Sequence, residues 1–523
     1  MNNNKKKMKA EKKQKESVKI PSKAGMKQWI GLAVLALPTL IMTMDISVLF
    51  LALPHLAADL APSSTQMLWI VDIYGFVLAG FLVIMGKLAD RIGRRKLLMI
   101  GATLFGIASI LVAYSNSAEM LIVSRALLGI AGATLMPSTL SLIRHMFQDA
   151  KQRSSAISVW MMCFVVGSVI GPIVGGLMLE WFWWGSVFLL GVPFMLLLLV
   201  TGPVLLPEYK DLKSEKLDLI SAVMSLLAIL AIVYGIKNIA EQGFQVSLVL
   251  IIAAGLLIGW AFVHRQNRMD DPLIDMRLFR TPAFSGALCI LLLGLLTISG
   301  LNLYIAQYLQ LVQALSPLIA GLWLVPFAAG VIIGSIAAPL IARRISPAYV
   351  IGISLVIASA GLLFLTQVEP TSGLTILIVG SVIFAIGISP LTVLGTDLIV
   401  GSAPPEKAGS ASAISETSAE LGAALGIAIM GSIATAVYQR QVSGSLPADV
   451  SSSAAEATEE SLVGALEVTD SVPADTANKL LTLAQEAFTN GINTIAAVSA
   501  VLVILLAIFS VIMLRHVRPS GEE

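Results

Sequence analysis

The chain has 523 residues, of which 57% are hydrophobic and 13% are charged, and its mean hydropathy is +0.88. This composition excludes a soluble globular protein, because such a fold would have too little polar surface to cover itself. The formal net charge is only +2, but residues 1–28 hold ten lysines against two glutamates. We expect this basic tail to be disordered, cytoplasmic and close to the membrane surface, and a plain solvated segment that sets the topology is at least as favoured as a specific binding role.

The apolar runs are about 20 residues long, which is the length that a helix needs to cross a hydrocarbon layer of about 30 Å. Strands of a membrane barrel would instead alternate apolar and polar residues, so we predict an all-α membrane protein with about fourteen transmembrane helices. The first run is too long for the apolar core of a cleaved signal peptide. The predicted spans are 29–53, 67–86, 97–114, 119–143, 155–179, 186–206, 217–236, 246–264, 283–307, 317–341, 348–367, 373–400, 408–437 and 491–514.

These spans predict two six-helix halves, at 29–206 and 283–514, separated by an inserted helix pair at 207–264 and a cytoplasmic loop at 265–282. An even number of spans places the basic tail and the short C-terminal tail, residues 515–523, on the same side of the membrane. The loops on that side are rich in Lys and Arg, so the positive-inside rule predicts that it is the cytoplasm.

A long segment at 438–490, before the last predicted span, is acidic and rich in Ser and Ala. Its weak helical periodicity predicts a small helical hairpin on the external side of the membrane. A solvated loop is the favoured role for this segment, and a gate or vestibule for cationic molecules is the alternative.

The first two spans each contain one aspartate. Asp45 lies in MDISVLFLALP, at residues 44–54, and Asp72 lies in WIVDIYG. An ionised carboxylate inside an apolar helix is unfavourable by several kcal/mol, so Asp45 is expected to face a cavity. Both fall in the outer part of their span, and we predict that they flank one outward-facing vestibule, where they would bind a cation or share a proton. A polar contact at a helix end is the alternative for Asp72.

The turn after the second span reads GKLADRIGRRK, from Gly86 to Lys96. So many charges between two apolar runs must lie at a membrane surface, and the excess of Arg and Lys places that surface in the cytoplasm. A generic basic turn is the alternative to a specific structural motif. The residues that define the pattern are Gly86, Asp90, Arg91, Gly93, Arg94 and Arg95.

The fourth and fifth spans carry two further features. Arg125 lies within the fourth span, where it either takes part in function or is a fixed partner of a carboxylate or of backbone carbonyls. In the fifth span, glycines four residues apart share one helix face and permit a neighbouring helix to approach closely. A proline within this run loosens the helix locally. The residues of the run are Gly167, Gly171, Pro172, Gly175 and Gly176.

The second half contributes Glu416 and Glu420, which are four residues apart and therefore on the same face of the thirteenth span. We interpret them as a membrane-embedded carboxylate site for protons, a cationic substrate or both. Asp397 is a further candidate for proton or cation coupling, but it lies just before a cytoplasmic turn, and snorkelling to the surface or capping a helix is an equally favoured role. Five aromatic residues are candidates for a cation-binding cage, although packing or a position at the membrane interface is their more ordinary role. They are Trp69, Tyr74, Trp160, Tyr308 and Trp323.

Taken together, TMDISVLFLALP, LWIVDIYGFVLAG, GKLADRIGRRK, GIAGATLMPSTLSLIR and the Gly-Pro run of the fifth span resemble the major facilitator superfamily. The resemblance is to its fourteen-helix drug/proton antiporter branch, and within it to the quaternary-ammonium multidrug efflux proteins of the QacA type. It implies that Arg125 is linked with proton handling, and that the Gly-Pro run is typical of antiporters rather than of uptake carriers.

The resemblance also implies the substrates and the energy source. Proteins of this branch export lipophilic cations such as antiseptics and dyes in exchange for protons, so the expected partners are these cations, protons and the lipid bilayer. No cofactor, metal or nucleic acid is expected, the proton gradient supplies the energy, and a monomer in a bacterial-type plasma membrane is expected. The tenth span, SPLIAGLWLVPFAAGVIIGS, has no acid where relatives carry one, which weakens the expectation that divalent cations are recognised.

Two alternatives stay open. One is a proton-coupled carrier for another small solute on the same fold. The other is a membrane-embedded enzyme or lipid-handling protein, which would need a catalytic group of residues at the lipid interface. The sequence contains no Walker loop, no metal-ligand cluster and no hydrolytic triad, so we expect a transporter and not an enzyme or an ATP-driven pump.

Overall fold

The computed structural model describes residues 24–208, 210, 218–242, 244–269, 272, 274–403, 408–446 and 450–517. Within these residues the chain forms helices and no strand, which confirms the predicted all-α class. Most of the basic tail, residues 1–23, and the side chain of Asp90 lie outside what the structure describes. The long helices are α1 (Met26–Leu60), α2 (Ser64–Ile92), α3 (Arg94–Ala113), α4 (Ala118–Met146), α5 (Ala150–Trp181), α6 (Ser186–Leu205), α7 (Leu219–Gln242), α8 (Val246–Gln266), α9 (Pro282–Val312), α10 (Pro317–Ala342), α11 (Pro347–Leu365), α12 (Leu374–Gly401), α13 (Ala408–Ser443) and α16 (Ala474–Leu514), with two short helices, α14 (Ser452–Glu460) and α15 (Leu462–Glu467), before the last.

Thirteen helices of the described residues are long and apolar enough to cross a membrane. Beside them, α7 contains a shorter apolar stretch, Ile220–Gly235. The chain is therefore a multi-pass membrane protein whose helices follow the apolar runs of its sequence.

Helix boundaries follow from local chemistry. Ser63, ahead of α2, accepts a hydrogen bond from the Gln66 N–H at 3.2 Å, and Asp149, ahead of α5, accepts one from the Gln152 N–H at 3.0 Å. Such caps satisfy N–H groups that have no partner within the first turn of a helix. Gly93 alone separates α2 from α3, and its φ of 111° is a backbone conformation that residues with side chains rarely adopt.

Two apolar cores organise the bundle. One core is formed by the first six helices, α1 through α6, and contains buried residues such as Leu78, Phe105 and Leu128. The other joins α9, α10, α11, α12, α13 and α16, and it also takes in Leu51 and Leu56 from the later part of α1. The two groups of helices therefore share a core where α1 ends and are separate where it begins.

The end of the bundle where α1 ends is covered by the short helices α14 and α15, and we call it the capped end. Ser64, at the start of α2, donates a hydrogen bond to the backbone carbonyl of Glu460 at 2.8 Å, and Tyr438 donates one to the carbonyl of Thr458 at 2.8 Å. The predicted helical hairpin is thus present, attached to both groups of helices. It is shorter than the predicted segment, because α13 continues to Ser443 and α16 begins at Ala474.

Helix α7 packs against the outside of α2 and α13, and α8 packs against α7. Phe76 of α2, Val233 of α7 and Ala424 of α13 belong to one buried cluster. At the end opposite the cap, Asp218 ties the pair together through an ion pair of 3.1 Å with Arg265. Burial alone would raise the pKa of Asp218, but hydrogen bonds from Arg265 and Ser221 outweigh it and keep that pKa below its ordinary value.

Candidate functional site

A cavity of about 270 Å³ lies in the middle of the bundle, between the two groups of helices. It receives two carboxylates, Asp72 from α2 and Glu420 from α13. These helices approach closely one turn away, because a Cβ placed on Gly75 would lie 3.1 Å from the Cβ of Ala424. Asp72 is 1% exposed and Glu420 is half-buried, so both acids are held inside the bundle.

The rest of the cavity wall is aromatic, aliphatic or weakly polar. Phe50, Tyr74 and Phe327 supply aromatic rings, and no Lys or Arg of the described residues lines the wall. Such a wall gives a desolvated site with net negative charge, which favours a lipophilic cation through both ion pairing and cation–π contact. Small polar groups come from Thr43, Ser47, Ser168, Ser299 and Asn302.

Asp45 does not line this cavity. Its carboxylate forms a buried ion pair of 2.8 Å with Arg125, and the two side chains are 7% and 1% exposed. A small space beside Asp45 is enclosed by Phe105 of α3 and Phe188 of α6. Asp45 therefore faces the interior of the first six helices, and the structure does not bring it together with Asp72 and Glu420 in one vestibule.

Arg125 joins several helices. Its Nε donates a hydrogen bond to the backbone carbonyl of Ile70 at 3.1 Å, and Nη2 donates a longer one of 3.5 Å to that of Val71. The guanidinium lies over the ring of Tyr74, 5.1 Å from its centroid, and over that of Phe188 at 5.9 Å. Arg125 thus has the carboxylate and carbonyl partners considered for it, and Tyr74 stands between it and the central cavity.

The other candidate acids and aromatic residues lie elsewhere. Glu416 is half-buried one turn before Glu420, and Asp397 is exposed on α12; neither lines the central cavity. Of the proposed five-residue cage, Tyr74 is the one member that lines the central cavity.

The other four aromatic residues lie outside the cavity. Trp69 packs on Tyr234 with ring centroids 6.4 Å apart, and Trp160 is buried against Phe164. Tyr308 donates a hydrogen bond to the Glu369 carbonyl at 2.6 Å, and Trp323 is 38% exposed on α10.

The glycines of α5 allow two close helix contacts. A Cβ on Gly175 would lie 2.6 Å from Val48 Cγ1 on α1, within the first six helices. A Cβ on Gly176 would lie 2.6 Å from the backbone oxygen of Pro317 on α10. Near this point Ser316 donates a hydrogen bond to Glu180 Oε1 at 2.8 Å. The run therefore packs α5 inside its own half and also against the other half.

The basic turn holds α3 in place. The backbone N–H of Arg95 donates to Glu208 Oε1 at 3.1 Å, and its guanidinium donates to the carbonyls of Pro203 and Leu206 at 3.1 and 3.0 Å. Arg94 reaches the carbonyl of Pro137 on α4 at 3.3 Å. Gly86 lies near the same proline, whereas Arg91 is exposed. These contacts all join parts of the first six helices and lie away from the central cavity.

Most of the cavity wall was missed by sequence reasoning, including Phe50, Ser299, Asn302 and Phe327. Asn302 carried a usable signal, because an amide in an apolar span is unfavourable unless it meets a polar partner or a cavity. The two phenylalanines carried no such signal, since an apolar residue in an apolar helix is compatible with core, lipid or cavity alike.

Two groups of membrane helices around a central cavity that contains two carboxylates define a membrane transporter. The family model for the Major Facilitator Superfamily matches residues 35–427, and the chain belongs to that superfamily. The predicted family is confirmed, and the protein is a transporter rather than an enzyme.

Named relatives agree with this assignment. The chain is 42% identical over 479 residues to the multidrug efflux pump LfrA of Mycolicibacterium smegmatis, which covers 92% of this chain and 95% of the relative. It is 34% identical over 478 residues to the methyl viologen resistance protein SmvA of Salmonella typhimurium, covering 88% and 93%. In fold it resembles a bacterial homologue of the human lysosomal transporter Spinster, with a TM-score of 0.68, 17% identity and coverage of 94% and 98%.

Proposed function

We propose that the protein exports lipophilic cationic drugs, antiseptics and dyes across the bacterial plasma membrane, in exchange for protons. One observation carries this proposal: carboxylates from two different halves, Asp72 and Glu420, meet in a single aromatic-walled cavity. The names of the relatives, a multidrug efflux pump and a methyl viologen resistance protein, support it.

The two carboxylates also bear on the charge of the substrate. The tenth span supplies apolar residues to the cavity, among them Leu324 and Phe327, and no acid. Asp72 and Glu420 nevertheless give the cavity two negative charges when both are ionised. We therefore include divalent cations among the proposed substrates, and methyl viologen is a cation of this type.

Protons act on the cavity through Asp45 in this proposal. When Asp45 takes up a proton, Arg125 loses its counter-ion, and its charge lies just behind the Tyr74 ring that lines the cavity. At a separation of roughly 9 Å and an effective dielectric constant of about 20, that charge repels a bound cation by about 2 kcal/mol. Protonation of Asp45 thus expels the cation, and loss of the proton restores its binding.

Transport then requires the cavity to open on one side at a time. The contacts of α5 with α10 and the shared core close the capped end in this structure. We propose that both termini are cytoplasmic, that the capped end is external, and that the two halves of a monomer rock about the cavity to exchange a cation for protons. The proton gradient is the energy source, and no cofactor takes part.

The test uses the purified protein in proteoliposomes with an imposed pH gradient and two probes, ethidium and the dication methyl viologen. We expect uptake against the cation gradient that stops when an uncoupler collapses the pH difference. Asp72→Asn and Glu420→Gln should each lower the transport rate at least tenfold, whereas Asp397→Asn, a membrane carboxylate outside the cavity, should retain it. Transport that ignores the pH gradient would refute antiport, and equal rates for all three variants would refute the assigned site.

A further inference from the structure

The second half of the molecule presents one side-chain amide to the central cavity, that of Asn302 on α9. Ser299 lies three residues earlier and therefore on the same helix face. The neighbouring wall from α10 is apolar, with Leu324, Phe327 and Ala328. Apart from Glu420 and the Ser299 hydroxyl, Asn302 is thus the polar contact that this half offers to an occupant.

The hydroxyl groups on the opposite wall are already satisfied by their own helix. Thr43 donates to the carbonyl of Leu40 at 2.9 Å, and Ser47 donates to that of Met44 at 3.0 Å. Asn302 differs, because its side chain makes no hydrogen bond to any other residue that the structure describes. An amide in a membrane-embedded cavity is unfavourable unless a ligand or water satisfies it, so this group is available to the occupant of the cavity.

We infer that Asn302 is a specificity-determining residue that favours cations carrying N–H donors over fully alkylated cations of the same shape. The amide oxygen accepts a hydrogen bond from an amino group of the bound cation, whereas a dimethylamino group offers no donor and leaves that oxygen unsatisfied. A site built to bond an N–H group rejects an analogue that lacks it, because the buried polar group of the site is then unpaired. This inference rests on the proposed function, since it needs the central cavity to bind cations.

Two permanently charged acridinium dyes isolate the hydrogen bond. The first is 3,6-diamino-10-methylacridinium, whose amino groups donate hydrogen bonds; the second is 3,6-bis(dimethylamino)-10-methylacridinium, which has no N–H. We expect Asn302→Leu to lower kcat/KM for the diamino dye by roughly tenfold or more, the usual range for one hydrogen bond to a charged group. For the tetramethyl dye, kcat/KM should stay within about twofold of the wild-type value, because this dye loses no hydrogen bond.

Gln307→Leu is the matched control. Gln307 lies on the same helix and loses the same kind of amide, but it lines a separate cavity of about 170 Å³ below the cap. Its substitution should change transport of neither dye. Where Asn302→Leu protein fails to transport the tetramethyl dye, Asn302→Ala replaces it, with the same selective loss expected.

The outcomes separate the two proposals. If wild-type protein exports neither dye in response to a pH gradient, the proposed function is refuted. If it exports both, and Asn302→Leu and Asn302→Ala slow them equally or not at all, the proposed function stands and the role of Asn302 is refuted. A loss confined to the diamino dye, absent from Gln307→Leu, supports the inference.

Discussion

Gly176→Ala is expected to weaken closure of the capped end without unfolding either half. The new methyl group would lie 2.6 Å from the Pro317 oxygen and 2.7 Å from the Leu318 Cα, against an ordinary contact of 3.4 Å or more. Both atoms belong to the backbone of α10, so they move aside only if the helix moves by several tenths of an ångström. Overpacking of this kind costs about 1–3 kcal/mol. That range corresponds to a shift of roughly 5- to 150-fold in an equilibrium between two conformations.

Cysteine labelling measures this shift. Ala423→Cys places a thiol on the cavity wall, in a background where Cys163 and Cys289 are replaced by Ser. A membrane-impermeant maleimide added on the capped side should label Gly176→Ala protein at least fivefold faster than its parent.

Two controls assign the effect to the contact between the halves. In Gly175→Ala the methyl group meets Val48 Cγ1 at the same 2.6 Å, but inside the first half, so the labelling rate should stay near that of the parent while thermal stability falls. In Gly395→Ala the nearest atoms are 4.0 Å away, so neither property should change. Equal labelling rates for Gly176→Ala and Gly175→Ala would refute the assignment of this contact to closure of the capped end.

Three further substitutions have definite expected outcomes. Asp45→Asn leaves Arg125 buried without a counter-ion, which costs about 3–5 kcal/mol, so the melting temperature in detergent should fall. An additional Arg125→Met change should recover part of the lost melting temperature. An unchanged melting temperature in the single variant would contradict a buried ion pair. Glu208→Gln removes a carboxylate that is 37% exposed and forms an ion pair with Arg95 at the start of α3. The free energy of unfolding should therefore fall by at most about 1 kcal/mol, and the difference should vanish in 1 M salt. Asp218 has a lowered pKa, so its ion pair with Arg265 stabilises the protein above the ordinary carboxyl pKa, and this stabilisation is lost as the pH falls through the lowered value. Asp218→Asn should therefore flatten the acid side of a plot of melting temperature against pH. Parallel plots for the variant and the wild type would contradict this.

Hydropathy predicted the helices well because each span must be apolar over the thickness of the bilayer, whatever its neighbours are. It failed at the ends of α13 and α16, since a helix need not stop where the membrane does. Before its apolar core, α16 continues through a polar stretch in which Asp475 and Lys479 form an i,i+4 ion pair of 2.8 Å. Polar residues with good helix propensity extend a helix into water, and a hydropathy threshold assigns the same residues to a loop.

The aromatic candidates show a different limit. A tryptophan in a membrane helix is equally compatible with a cavity wall, a packed core and the lipid surface, and the choice depends on which helices surround it. Trp160 is buried in the core of the first half, and Trp323 is partly exposed on the side of α10. Tertiary packing decides between these positions, and no local pattern of residues encodes it.

The separation of Asp45 from Asp72 follows from helix geometry once one cavity-facing residue is known. Residues advance by about 100° around an α-helix, so positions four apart lie on one face and positions two apart lie about 200° from each other. Thr43 and Ser47 both line the central cavity, so Asp45, midway between them, must face away from it. The phase of α1 thus places Asp45 against Arg125 rather than in the cavity.

An effect of Asp45 protonation on a bound cation must therefore be transmitted through Arg125 and the Tyr74 ring. Tyr74→Leu and Phe327→Leu both remove an aromatic ring from the cavity wall. We expect Tyr74→Leu to weaken the dependence of cation affinity on pH more than Phe327→Leu does. Equal pH dependence of cation binding in these two variants, measured by fluorescence titration of ethidium, would rule out this route.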